Sequence, residues 1–180
     1  MRRVAVTGIG IVSPLGNGAA TFFEALAAGR SGIVRLQGPS HERLASPIGA
    51  VADFDGASHF DAARVRMLDR VSQFALYAAA QAVREAGGVF EGLDPARAGV
   101  FVGTGMGGAH ATDDGYRTLY AEKSDRLKPF SVLLAMANAP AAWIALEHRL
   151  AHGVLDVIEI GLLGRRIVDV GHVGSPDSTA

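Results

Sequence analysis

The residues of this chain that could do chemistry begin with its glycine turns. Gly103-x-Gly105-x-x-Gly108 follows an apolar run. In a dinucleotide-binding fold, glycines so spaced let a pyrophosphate sit against a helix N-terminus. Here the turn carries bulky Met106, and no helical signal starts directly after it. The acidic residues about twenty positions on, Glu122 and Asp125, fall in helix or loop rather than at a strand end. Gly8-x-Gly10 followed by Gly16 lacks the third glycine at that spacing. The favoured reading is a backbone turn that needs glycine for close packing, and no cofactor is expected. A Rossmann-like cofactor binder stands as the alternative.

Six histidines are scattered: His41, His59, His110, His148, His152 and His172. His148 and His152 stand four apart but have no third ligand nearby, so no metal site is expected. They read as the end of a helix, where a cation suits the dipole. Asp53-Phe54-Asp55 and Asp113-Asp114 read as turn and cap residues in loops. Ser13 precedes a proline and lies outside a G-x-S-x-G elbow, which argues against a serine hydrolase. Asp69-Arg70, between Met67-Leu68 and a long apolar helix face, reads as a buried ion pair or a helix cap. There is no cysteine, which excludes disulfides, zinc-thiolate sites, iron–sulfur clusters and a thiol nucleophile from these 180 residues.

The elements that would position these residues alternate between strand and helix. Arg3–Gly10 reads as a strand, Ile11–Gly16 as a turn-rich connection, and Asn17 as the N-cap of a helix to Ala28 stopped by Gly29. Phe22, Phe23 and Leu26 form its apolar face. Residues 32–47 read as loop, 48–52 as a strand and 60–66 as a short helix. A strong helix spans 69–86, with Val71, Ala75, Ala78, Ala79 and Ala82 at helical spacing and Gly87-Gly88 as its stop. Residues 97–103 read as a buried strand and 112–122 as a helix. Residues 131–150 read as a second long helix kinked at Pro140. Two short strands, 154–158 and 167–170, and a disordered end follow. The class is α/β.

Composition bounds the partners. Lys and Arg number 17 against 18 Asp and Glu, so no basic field invites nucleic acid or anionic lipid. A hydrophobic share of 49% argues against disorder. The longest apolar stretch, 132–150, is broken by Asn138, Pro140, Glu147, His148 and Arg149, so no membrane span or export signal is expected and the protein reads as cytoplasmic.

Taken together, several segments resemble a known family. Arg2-Arg3-Val4-Ala5-Val6-Thr7-Gly8-Ile9-Gly10-Ile11-Val12-Ser13-Pro14-Leu15-Gly16-Asn17 is similar to the opening of elongating beta-ketoacyl-acyl-carrier-protein synthases. Phe23-x-x-Leu26-x-x-Gly29-x-Ser31-Gly32-Ile33 and Met67-Leu68-Asp69-Arg70-x-x-Gln73-Phe74-Ala75 continue the likeness. So do the turn Gly103–Gly108, Lys128-Pro129-Phe130 and residues 138–150. The resemblance implies the N-terminal half of a thiolase-like fold, an incomplete mixed sheet flanked by helices. It implies a family whose members are usually homodimers and catalyse a decarboxylative Claisen condensation, in fatty-acid or polyketide synthesis. A cysteine there takes the acyl chain from an acyl carrier protein, two histidines assist malonyl decarboxylation, and backbone N–H groups bind the oxyanion.

The likeness stops after Leu150. Where the family continues with Gly-Pro and a strand ending in Thr-Ala-Cys, this chain reads Ala151-His152-Gly153-Val154, and Gly161 falls about where the nucleophile would stand. No catalytic residue is therefore carried over, and the chain alone is expected to be inactive. Met106 and Phe130 match positions of the family's acyl pocket, with Ser131 where a second aromatic would follow; ordinary core packing is the competing reading for both. The expected organisation is a partial synthase domain, 1–151, and a divergent tail, 152–180, either translated out of frame or native. Partners implied are an acyl carrier protein and, for a non-catalytic subunit, a second copy or a complete synthase. A fragment that does not fold stably is the third reading.

Overall fold

The structure is a computed structural model that describes residues 3–38, 41–87, 94–150 and 154–157, the last four by their backbone. Residues 3–10, expected as a strand, pair with no strand among the described residues. The segment runs instead along the longest helix, and the N–H groups of Ile9 and Ile11 donate to the side chains of Glu85 and Gln81 at 2.7 and 2.8 Å. Val4 and Val6, at 94% and 80% exposure, have the residue types of a strand but little among the described residues packs on them.

β1 (Val12–Ser13) and β2 (Gly16–Asn17) close a minimal antiparallel hairpin. Ser13 is its turn residue: its hydroxyl donates to the Gly16 carbonyl at 2.8 Å and accepts from Leu15 N–H at 3.2 Å. α1 (Ala19–Ala27) follows, capped by Gly18 rather than by Asn17. Asn17 instead donates its side-chain amide to the Asp53 carbonyl at 2.7 Å, tying the helix start to a later loop. Gly29, at φ +65°, ends the helix as expected. Its N–H reaches Leu26 and that of Arg30 reaches Ala25, each at 3.0 Å, the bond pair of a Schellman motif. The expected apolar face is covered only in part: Phe22 is half-buried, Phe23 and Leu26 are exposed, and Ala25 is the one fully buried residue of the helix.

β3 (Ile33–Arg35) lies inside the stretch read as loop and pairs antiparallel with β4 (Ile48–Ala50). Three residues beside Gly32 are too short a run to show a period. α2 (Ala62–Met67) begins at the cap Asp61, which accepts from Ala63 and Arg64 N–H. α3 (Arg70–Glu85) agrees with the periodic run, from its cap Asp69 to Gly87 at φ +72°. β5 (Val100–Gly103) is covered on one side only. Val100 and Val102 pack inward while Phe101 is 69% exposed, which corrects the expectation of a strand buried on both faces.

α4 (Ala109–Tyr116) starts directly at the end of the glycine turn, three residues earlier than expected, and runs into a π turn over Arg117–Ala121. The expected long helix is two. α5 (Ser131–Ala135) and α6 (Ala139–Glu147) are separated at residues 136–138. Pro140 does not kink a helix; it sits in the first turn of α6, where an N–H would have no intrahelical acceptor. β6 (Val154–Val157) pairs in parallel with β5 from Val100↔Val154 to Gly103↔Val157, so the helices between them form a crossover. The strand expected at 167–170, His152, Gly161, His172 and the end at 175–180 lie outside the described residues.

The core is Leu68, Leu76 and Ile144, with Phe60, Ala75, Ala79, Val100, Val102 and Trp143 against it. Small residues let α3 and α6 approach closely: Ala75 and Ala79 on one, Pro140 and Ala141 fully buried on the other. Each large apolar side chain buried there contributes about 1.5–3 kcal/mol. The fold is α/β, with one parallel and two antiparallel strand pairs among the described residues. No helix among them is long and apolar enough to cross a membrane.

Candidate functional site

A cavity of about 740 Å³ opens between the α2–α3 junction, α4 and the segment leading into α5. Val65, Leu68, Leu127, Phe130 and Leu134 give it apolar walls, and Arg66, Asp69, Arg70, His110, Asp114 and Lys128 give it polar groups. Such a mixture of apolar wall and few polar groups suits a small amphipathic ligand.

Asp69, Arg70, Asp114 and Lys128 each have a local reason to be where they are. Asp69 is 7% exposed and accepts from Val71 N–H at 3.1 Å and from Ala111 N–H at 2.9 Å. Of the two sequence readings, ion pair or cap, the cap is what forms. Arg70 turns away from it: the guanidinium lies 4.8 Å from the Phe74 ring centroid and 5.7 Å from that of Phe54, and reaches the Ala52 carbonyl at 3.5 Å. Lys128 Nζ donates to Asp114 Oδ2 at 2.6 Å. That bond holds the Asp114 carboxyl below its usual range, against a smaller opposing effect of burial.

Phe130 lines the cavity and holds an unusual backbone. Its φ of +66° places a bulky side chain in the left-handed region at the N-cap of α5. Holding it there costs about 1 kcal/mol or more. Met106 stands outside the cavity lining, at the tip of the glycine turn and 79% exposed. The turn lies against α5 and the residues that follow it. A Cβ at Gly107 would lie 3.0 Å from Ala137 Cα, and one at Gly108, at φ +69°, would overlap Ala135 backbone.

The other candidates do not gather here. Asp55 caps a short 3₁₀ turn, Gly56–Ser58. The Ser58 hydroxyl bonds its Oδ2 at 2.6 Å and Ala57 N–H its Oδ1 at 3.0 Å, which lowers its carboxyl pKa. Asp113 and Asp114 stand in α4 rather than in a loop, and Asp113 pairs with Arg117 at 2.9 Å across one helical turn. His59 packs its ring on Tyr77 and Phe54, with centroids at 4.4 and 5.0 Å. His41 Nδ1 lies 2.7 Å from the Gln37 carbonyl, and His148 is the C-cap of α6. Among the described residues no three His, Asp or Glu side chains converge as a metal ligand set. Sequence reading missed His110 and Lys128 as cavity residues, because the walls come from segments about 40–60 positions apart in the chain.

Comparison with known proteins gives a consistent answer. The family described as "Beta-ketoacyl synthase, N-terminal domain" matches residues 1–154. A protein of Streptomyces halstedii named "Putative polyketide beta-ketoacyl synthase 1" is 47% identical over 116 residues, 64% of this chain and 28% of that protein. The 3-oxoacyl-acyl-carrier-protein synthase 2 of Coxiella burnetii is 30% identical over 172 residues, 95% of this chain and 41% of that protein. Among solved structures, the ishigamide ketosynthase/chain length factor superposes with a TM-score of 0.76 at 27% identity, covering 87% of this chain and 40% of that one. The chain spans well under half the length of these relatives.

Proposed function

The chain belongs to the beta-ketoacyl synthase family through its N-terminal domain, and on that premise we propose that it is the N-terminal half of a 3-oxoacyl synthase of polyketide rather than fatty-acid synthesis. The observation that carries the pathway is identity: 47% over 116 residues and 40% over 126 to two Streptomyces proteins named "Putative polyketide beta-ketoacyl synthase 1", against 30–33% over 146–172 residues to six 3-oxoacyl-acyl-carrier-protein synthases. The substrates of that reading are acyl and malonyl groups on an acyl carrier protein, and the compartment is the cytoplasm. Phe130, which lines the cavity, is its acyl-pocket residue, and the same role for Met106, exposed outside that lining, rests on the family resemblance alone.

The 180 residues contain no cysteine, so the covalent acyl intermediate has no thiol to form on. Purified chain mixed with acyl- and malonyl-carrier protein is expected to give no 3-oxoacyl product by mass spectrometry. Any product above a no-protein control refutes this. A non-catalytic subunit is the second reading, supported by the absence of a cysteine from these 180 residues. Co-purification with a complete synthase expressed beside it separates the two readings.

We also propose that residues 152–180 are translated out of frame, given the change of texture after Leu150. The competing account is a native tail. Reading the encoding DNA in its other two frames decides it, for a Gly-Pro followed by a Thr-Ala-Cys stretch appears only if the first account holds.

A further inference from the structure

The glycine turn poses a capping problem. Gly108 is the N-cap of α4 but has no side chain with which to cap it. Nor can it be given one: at φ +69°, a Cβ would overlap Ala135 Cα and lie 2.6 Å from its carbonyl oxygen. A helix N-terminus left so has unsatisfied N–H groups that favour a negative charge. The N–H that an N-cap side chain would ordinarily bond belongs to the third helical residue, here Ala111. It is bonded by Asp69 Oδ2 at 2.9 Å, from 42 positions earlier in the chain. The other oxygen of the same carboxylate caps α3 through Val71 N–H at 3.1 Å.

We propose that Asp69 is the positioning residue of the glycine turn, one buried carboxylate capping two helices and thereby fixing the turn that carries Met106 and the α4 wall of the cavity. Gly108 serves close approach to α5, and Asp69 supplies from outside the cap that this approach forbids. This property of the chain stands or falls separately from the reaction proposed for the complete protein.

The test uses the full ¹⁵N,¹³C-labelled chain. A scalar coupling through the hydrogen bond is expected between the Ala111 nitrogen and Asp69 Cγ, and its absence overturns the proposal. In Asp69→Ala, amide exchange at 109–112 is expected to speed by at least about tenfold while the amides of α1 keep their rates. The turn amides of 104–107 are expected to shift. Asp69→Asn, whose side-chain oxygen can still accept one N–H, is expected to recover part of the protection. Equal acceleration along the whole chain, or none at 109–112, overturns it.

Discussion

Gly10 presses its backbone directly onto Ala78: a Cβ at position 10 would lie 2.6 Å from the Ala78 carbonyl carbon and closer still to its oxygen. One turn farther along α3, Gly8 meets Ala82 in the same way. The Gly8-x-Gly10 pattern is therefore a contact between backbone and helix, and α3 side chains serve the intervening and following N–H groups. Gly10→Ala must push the segment off the helix and is expected to cost about 3 kcal/mol or more. Gly105→Ala, with open space at its Cβ, is expected to change stability by no more than about 0.5 kcal/mol. Urea unfolding of the two variants checks this, and equal midpoints would contradict the close contact.

The Asp114–Lys128 pair at the cavity makes a pH-dependent contribution of known sign. The carboxyl is held below its usual range in the fold, so the stabilisation is present above the ordinary carboxylate pKa and is lost as pH falls through the lowered one. Both side chains are largely exposed, at 46% and 68%, so the contribution is small, about 0.5 kcal/mol. Asp114→Asn is expected to lower stability by that amount at pH 7 in low salt. The difference between variant and parent should shrink as pH falls through the lowered pKa, and in 1 M salt, measured by urea unfolding in each buffer.

Asp55 offers a cleaner titration. Its lowered pKa rests first on the Ser58 hydroxyl and second on Ala57 N–H, with His59 a lesser influence. Ser58→Ala removes the largest cause and leaves the backbone bond. The Asp55 carboxyl carbon, followed by NMR, is expected to titrate below 3.8 in the parent and to move upward in the variant. An unchanged midpoint would show that the hydroxyl does not bond the carboxylate in solution.

What could be read from the sequence was what local signals encode. α3 announced itself by an Asp cap, small residues at helical spacing and a terminal glycine, and its bounds came out within one residue. The break between α5 and α6 carries no glycine, and Pro140 serves equally as a kink or as a first-turn residue, so sequence alone chose wrongly. Residues 3–10 have strand composition, yet a strand needs a partner, and composition does not say whether one is at hand. The candidate site was the least legible. Phe130 gave no hint of its left-handed backbone, and the Asp69–Ala111 bond joins residues that only tertiary packing brings together.

The exposed apolar side chains make the last prediction. Val4, Val6, Phe101 and Met106 all stand largely in solvent, on the first segment, the outer side of β5 and the glycine turn. Apolar surface of this extent outside a core is where a partner or a hydrophobic dye binds. The chain alone is expected to enhance the fluorescence of a naphthalene sulfonate dye. Polar replacements at exposed sites cost little, within about 0.5 kcal/mol each, so Val4→Thr, Val6→Thr and Phe101→Ser together should leave the unfolding midpoint nearly in place. They should also lower the dye signal. A signal that survives all three at full strength would locate the dye elsewhere, with the cavity beside Phe130 and Leu134 as the next surface to alter.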